Sequence, residues 1–179
     1  MPTIHAPSLP EPIRTQRLDL VPLEPDVVRA LIADGFAGLN LPSEFPTADD
    51  QEGFLPIQLR RMEADPGRRE WMARLIVRRD DKTIVGHCGF HGPPDVIGRA
   101  EIGYTVFTAY RGQGLAKEAA RALVAWAFDH GQEKVYATVA PSNVASLAVV
   151  RRLGFTQVGT QVDEVDGLEL VFVIGPPLR

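Results

Sequence analysis

The chain has 179 residues, a length that suits one domain with a sizeable core. Hydrophobic residues make up 45% of it and charged residues 23%, which excludes a wholly disordered chain. The formal net charge of −4 argues against a nucleic-acid-binding protein, because such proteins usually carry a basic surface. Solubility alone accounts for this charge, although it also fits a cationic ligand.

The targeting features predict a cytoplasmic protein without a membrane anchor. The single cysteine, Cys88, allows no internal disulfide, and its apolar neighbours favour a buried packing role over a nucleophile. The first 15 residues lack the basic and apolar pattern of a secretory signal, and no apolar run is long enough to cross a membrane. We expect residues 1–14 to form a flexible tail and residues 15–179 to form one domain.

The first half of the domain predicts a strand, two helices, a hairpin and a further strand. Pro25 favours a helix start and Gly35 a helix stop, while residues 79–82 form a polar turn between two apolar runs. The predicted elements are a strand at 18–22, a helix at 26–33, a helix from 49 or 50 to 64, strands at 71–78 and 83–90, a loop at 91–95 and a strand at 100–107.

The second half predicts two helices, a strand between them and a final hairpin. Residues 115–130 keep apolar side chains on one helical face, and Gly131 and Gly154 suit the positions just past helix ends. Asp166 and Gly167 predict the turn of the last hairpin. The predicted elements are a helix at 115–130, a strand at 135–139, a helix at 143–153 and strands at 158–165 and 168–174.

This order predicts an α/β (α+β) fold. Consecutive strands make most of the sheet antiparallel, whereas the helix between the strands at 100 and 135 lets that pair run parallel. We therefore expect a mixed, mostly antiparallel sheet of six to seven strands flanked by helices.

The segment 111–116 is the most informative about function. A strand leads into a turn with two glycines, and that turn opens the long helix. The first N–H groups of a helix have no internal partners and point outward, so they predict a site for a phosphate group. Gly112 and Gly114 let a ligand approach the backbone, and Arg111 adds a positive charge. A helix that merely needs a tight turn would look similar, so the glycines alone are a weak signal.

Other phosphate-loop and catalytic motifs do not fit the sequence. No Walker run occurs, and Lys117 occupies the position where a dinucleotide fingerprint needs its third glycine. No Gly-x-Ser-x-Gly run supports a serine hydrolase. The four histidines show no ligand-like spacing with cysteine or carboxylates, so we expect no metal.

The run Arg111-Gly112-Gln113-Gly114-Leu115-Ala116 resembles the Arg/Gln-x-x-Gly-x-Gly/Ala signature of the GNAT superfamily of N-acetyltransferases. The phrases at 101–104, 143–146 and 153–155 support the resemblance. The opening phrase at 15–23 is similar to that of the branch containing the ribosomal-protein N-terminal acetyltransferases. The resemblance covers the chain from about residue 15 to its end.

The resemblance implies that acetyl-CoA, as co-substrate, lies in a V-shaped gap between the strand ending at Phe107 and the strand at 135–139. Its pyrophosphate would bind the loop and its pantetheine arm would pair with backbone near Val106 and Phe107. Asn143 would contact the pantetheine arm, although a helix N-cap is an equally good interpretation. The implied cofactor-binding residues are Val106, Phe107, Arg111, Gly112, Gln113, Gly114, Leu115, Ala116, Asn143 and Ser146.

The chemistry needs a base, because an amine must lose a proton before it attacks a thioester. The resemblance makes Glu101 the candidate, although a charged strand end would look the same. Val150 stands where many relatives carry a tyrosine as general acid, so that role is vacant or filled elsewhere. His87 and His91 could line the acceptor site, or be ordinary structural residues.

The sequence thus predicts an acetyl-CoA-dependent N-acetyltransferase acting on a primary amine of a small molecule or a protein N-terminus. The alternative is a non-catalytic module of the same fold that senses acyl-CoA. The acceptor amine stays open, as do the acyl-chain preference and transfer to a hydroxyl. The exposed strands of the final hairpin could pair two chains, so a homodimer is a further hypothesis. No nucleic-acid or membrane partner is expected.

Overall fold

The computed structural model describes residues 11–35, 38–164 and 167–176, which form a sheet with helices on both faces. The strands within these residues are β1 (Ile13–Arg14), β2 (Leu18–Pro22), β3 (Ala73–Arg78), β4 (Ile84–Phe90), β5 (Ala100–Val106), β6 (Val135–Val139), β7 (Thr156–Asp163) and β8 (Gly167–Ile174). The α-helices are α1 (Pro25–Asp34), α2 (Leu55–Ala64), α3 (Pro94–Ile97), α4 (Leu115–Asp129) and α5 (Val144–Leu153).

The predicted order of elements is confirmed, with one strand more than expected. The sheet has eight strands in the described residues, against the six to seven predicted. The additional strand is β1, whose two residues pair with β2 and lie within the segment predicted as a tail. A strand of two residues has no alternating pattern that sequence could reveal. Residues 1–10 of that tail lie outside the described residues.

Several predicted bounds differ from the structure. β3 begins at Ala73 rather than at 71 and β7 at Thr156 rather than at 158, and two larger differences follow from local backbone chemistry. The second helix begins as an α-helix at Leu55 rather than at Asp49 or Asp50, and residues 50–54 form a wider helical turn before it. Pro56 lies in the first turn of α2, the part of a helix that tolerates a residue without an N–H. The loop predicted after β4 contains the short helix α3. Asp166, predicted in the last turn, lies outside the described residues.

The sheet is mixed and mostly antiparallel, as predicted. Its strand order is β1-β2-β3-β4-β5-β6-β8-β7, and β5 with β6 is its parallel pair. That pair is short, because only Ala100 with Val135 and Glu101 with Tyr136 are in register. Beyond them β5 runs on to Val106 and β6 to Val139, so the two strands diverge and the sheet opens.

Two apolar layers fix the helices on the sheet. On one face α4 buries Leu115, Ala119, Leu123 and Ala127, which confirms its predicted apolar stripe. On the other face α1 and α2 pack with Phe107 in a separate cluster. No helix in the described ranges is both long and apolar enough to cross a membrane.

Gly86 permits β4 and β5 to approach closely beside the point where the sheet opens. It pairs with Val106, and a Cβ atom added at Gly86 would lie 2.1 Å from the carbonyl oxygen of Thr105. The obstacle is main chain, which cannot rotate away as a side chain could.

We therefore predict that Gly86→Ala lowers the free energy of unfolding by about 2 kcal/mol, because the strands must separate to admit the methyl group. Urea denaturation of the variant and the wild type measures this difference. Gly159→Ala is the matched control on β7, where an added Cβ meets nothing within 4 Å, and it should change stability by no more than about 0.5 kcal/mol. Equal stability of the two variants would contradict the close approach.

Candidate active site

A cleft of about 570 Å³ occupies the opening between β5 and β6. The end of β5, the turn before α4, the first turn of α4 and one side of α5 along its length form its walls. Its lining residues are Tyr104, Thr105, Val106, Tyr110, Arg111, Gly112, Gly114, Leu115, Ala116, Lys117, Asn143, Ala145, Ser146, Ala148, Val149 and Arg152.

The turn before α4 presents free backbone N–H groups to this cleft. Gly112 and Gly114 both have a φ of 76°, a left-handed conformation that glycine adopts without strain. Gly114 is the N-cap residue and supplies no side-chain cap, so the N–H groups of the first helical turn are left for a ligand. The positive end of the helix dipole lies behind them, and the arrangement suits an anionic phosphate.

Arg17 fixes the turn from a distant part of the sequence. Its guanidinium donates to the Glu118 carboxylate at 2.7 Å and to the Gln113 carbonyl at 3.0 Å. Burial acts to raise the pKa of Glu118, but hydrogen bonds from Thr15 and Arg17 outweigh it and hold that pKa below its usual value. Gln113 therefore supports the loop through its backbone and does not line the cleft. Nothing in the local sequence reveals this clamp, since about a hundred residues separate its partners.

Backbone direction decides which residues of β5 face the opening. The N–H of Phe107 donates to the Val85 carbonyl, and the Glu101 carbonyl accepts from the His91 N–H, so both point toward β4. Because these groups alternate along a strand, those of Tyr104 and Val106 point toward the cleft. The Val106 carbonyl accepts from Arg111 Nε at 3.0 Å. The structure thus brings Val106 to the cleft, whereas Phe107 is buried in the opposite apolar layer.

Asn143 and Ser146 lie on the α5 side of the cleft. The Asn143 side chain accepts a hydrogen bond from the Ser146 N–H at 3.1 Å, so Asn143 is the N-cap of α5. Both residues also line the cleft, and the two interpretations of Asn143 are compatible in geometry. Val150 is fully buried in the core, so α5 offers no polar group there.

Tyr104 crosses from the sheet into the cleft. Its hydroxyl lies 3.5 Å from the Ser146 carbonyl oxygen, which α5 provides. Burial raises the pKa of Tyr104 to about 12, so the phenol is protonated at neutral pH. No feature of the local sequence predicts that this hydroxyl reaches α5.

A second hollow of about 140 Å³ lies beside the cleft and shares Tyr104 and Thr105 with it. Burial lowers the pKa of His87 in this hollow to about 4, with nearby Asp50 acting weakly in the opposite direction. Burial also raises the pKa of Cys88 to about 12. The lining residues are Phe54, Ala73, His87, Cys88, Gly89, Phe90, His91, Gly103, Tyr104 and Thr105.

Glu101 lies behind this hollow and lines neither cavity. It is 5% exposed, and its carboxylate accepts from Arg99 Nε at 2.6 Å and from the Thr138 hydroxyl at 2.7 Å. His91 Nδ1 lies 3.6 Å from Glu101 Oε1, the same oxygen that accepts the hydrogen bond from Thr138. The predicted base is thus held by an ion pair that sequence reasoning did not anticipate. Among the residues described, no cluster of side chains suits a metal ion.

The comparisons with known proteins agree with this geometry. A family model described as an acetyltransferase (GNAT) domain matches residues 17–156. The uncharacterised N-acetyltransferase YjdG of Bacillus subtilis (strain 168) is 30% identical over 119 residues, which cover 66% of this chain and 70% of that protein. Other curated N-acetyltransferases match over about half of their own length.

Solved structures share the whole fold. The crystal structure of an acetyltransferase from Agrobacterium tumefaciens str. C58 is 27% identical with a TM-score of 0.65, and the match covers 94% of this chain and 96% of that one. RimL, the ribosomal L7/L12 alpha-N-protein acetyltransferase in complex with coenzyme A, is 19% identical with a TM-score of 0.64, covering 92% of this chain and 98% of its own. The match of the family model over most of the chain, together with the cleft at the glycine turn, shows that the chain belongs to the GNAT family of acetyltransferases.

Proposed function

We propose that this protein is an N-acetyltransferase that moves the acetyl group of acetyl-CoA onto a primary amine of a small molecule or a protein N-terminus. The observation that carries the proposal is the meeting of two cavities at Tyr104 and Thr105. A large cleft with free N–H groups suits a long anionic cofactor, and a small hollow suits the reacting end of an acceptor. Their junction is where a thioester and an amine could meet.

In this proposal the pyrophosphate of acetyl-CoA binds the backbone N–H groups between Arg111 and Ala116. The pantetheine arm extends along β5 and hydrogen-bonds with the backbone of Val106, as an added strand would. Asn143 and Ser146 line the opposite wall. Phe107 and Gln113, which do not reach the cleft, shape the site through their main chain. RimL, which shares the fold, has been solved with coenzyme A, and this supports the cofactor class.

Transfer in this site would be direct rather than through an acyl-enzyme. Cys88 is the one thiol in the sequence and it borders the acceptor hollow. It is buried, and burial raises its pKa to about 12, so almost none of it is the thiolate that attacks a thioester. The thiol is therefore unsuited to forming an acyl-enzyme, and in this proposal the amine attacks acetyl-CoA directly.

A steady-state assay of thiol release from acetyl-CoA tests the proposed activity. Release should depend on an added amine and should saturate with both substrates, with spermidine, serine amide and alanine amide as probes. A protein that binds coenzyme A and releases no thiol with any amine would instead fit an acyl-CoA sensor.

We predict that Gly114→Ala weakens coenzyme A binding by at least tenfold, as measured by isothermal titration calorimetry. The left-handed backbone that orients the N–H groups would be strained, and the added Cβ would lie 3.7 Å from Arg17 Nη2, at the contact that fixes the turn.

Gly131→Ala is the control for that variant. Gly131 follows the other end of α4 with a φ of 83° and open space around it, so alanine there brings a similar strain of about 1 kcal/mol. Its coenzyme A affinity should equal that of the wild type. Equal affinities for all three proteins would remove the glycine turn from the cofactor site.

We also predict that the Cys88 thiol of the native protein reacts at least about 100-fold more slowly with an aromatic disulfide reagent than the same thiol in guanidinium, at about pH 8. The cause is its low thiolate fraction and its burial. Because the chain has one cysteine, the colour released reports this residue alone. Rapid reaction of the native protein would contradict the low reactivity of Cys88 and make an acyl-enzyme on this thiol feasible.

A further inference from the structure

The environment of Glu101 makes it a poor group to take a proton directly from an amine. Both carboxylate oxygens already accept hydrogen bonds, one from Arg99 and one from Thr138. Arg99 is itself held by Gln161 at 2.9 Å and by the ring of Tyr136, so the ion pair is part of a fixed network. A proton on this carboxylate would disrupt the network and leave a partly buried guanidinium without its counter-charge.

His91 stands between Glu101 and the acceptor hollow. Its Nδ1 lies 3.6 Å from Glu101 Oε1, its ring lines the hollow, and its side chain is 48% exposed. The backbone is fixed on both sides, because its N–H donates to the Glu101 carbonyl at 2.9 Å and its carbonyl accepts from Arg61. The ring therefore reaches from a buried carboxylate to an accessible cavity.

Gly103 makes room for this ring. A Cβ atom added at Gly103 would lie 3.1 Å from His91 Nε2, closer than nearly all real contacts of that kind. The Nε2 atom thus lies over the bare backbone of β5, next to Tyr104 and Thr105, where the two cavities meet. Gly103 is therefore needed because it leaves space for the His91 ring, whereas Gly112 and Gly114 are needed for their left-handed backbone conformation.

The other charged and titratable groups around His91 do not offer the same chemistry. Arg61 on α2 contacts the His91 carbonyl as a cation, and Arg99 lies behind Glu101. On β4, burial lowers the pKa of His87 to about 4 and raises that of Cys88 to about 12, so both are neutral at pH 7. An imidazole next to a carboxylate is the group that exchanges protons most readily near neutral pH.

We propose that His91 is the catalytic base of the acetyl transfer and that Glu101 is a positioning residue that orients the ring through Nδ1. This inference rests on the proposed function. An ammonium substrate first loses one proton to water. His91 Nε2 then takes a second proton from the nitrogen as the C–N bond forms. The C–S bond breaks, its electron pair leaves with the sulfur, and the imidazolium returns its proton to that thiolate through water.

The test compares His91→Gln, Glu101→Gln and the control His130→Gln, which removes a histidine at the far end of α4. The substrates are acetyl-CoA and whichever of spermidine, serine amide and alanine amide the wild type acetylates fastest. His91→Gln should lower kcat/KM by about 100-fold or more and leave coenzyme A affinity within twofold. His130→Gln should match the wild type in both.

The pH profile separates a base from a structural residue. For the wild type, kcat/KM should fall on the acid side as the imidazole becomes protonated, and His91→Gln should lack that limb. Glu101→Gln should lower kcat and leave the KM for the amine within twofold, because a ring that is no longer oriented accepts the proton less effectively. As a second variant, His91→Ala should regain at least tenfold in activity when imidazole is added.

Two different failures can be told apart. His91→Gln turnover within threefold of the wild type, with an unchanged pH profile, would overturn the role of His91 and leave the proposed function in place. A wild-type protein that binds coenzyme A and acetylates none of the three amines would refute the proposed function and the inference together.

Discussion

The early divergence of β5 and β6 is the constraint on which the site depends. Two residues of β5 pair with two residues of β6, and these pairs join the two halves of the sheet. Beyond them, the backbone N–H and C=O groups of β5 on that side face no neighbouring strand. Unpaired backbone groups in a sheet interior are costly unless something else satisfies them. Here α4 and α5 form the walls of the gap, and the N-termini of both helices face it. The unpaired backbone groups of β5 are therefore available to a ligand.

Burial shifts the pKa values of several side chains near the junction of the two cavities. Tyr104 and Cys88 have a pKa of about 12 and His87 of about 4, so each holds one protonation state across the neutral range. His91 and Glu101 differ from these residues in their setting, because together they join a buried ion pair to an accessible ring. If His91 is the base, as proposed, proton exchange is confined to this pair.

Local sequence predicted well those features that local physics controls. The long helix α4, the strand β6 and the cap at Asn143 agree with their predicted bounds within a residue or so, because apolar period and capping chemistry act over a few positions. The glycine turn also lies where it was predicted. By contrast, the hydrogen-bond partners of Glu101 are Arg99, two residues away, and Thr138 on β6. Sequence spacing does not reveal that these two side chains meet at one carboxylate. The family resemblance implied that Phe107 pairs with the pantetheine arm, but the direction of its N–H depends on the β4 register.

The clamp between Arg17 and the turn before α4 has a consequence for the order in which the protein matures. Its two ends are about a hundred residues apart, so a chain leaving the ribosome carries Arg17 long before Gln113 and Glu118 have been made. Such distant contacts form late, since the intervening chain must first be gathered. The glycine turn before α4 therefore reaches its final form only when the β2 end of the sheet has docked against α4. Under the proposed function, nascent fragments that lack the later helices would not bind acetyl-CoA, and acetyl-CoA would stabilise only the finished molecule.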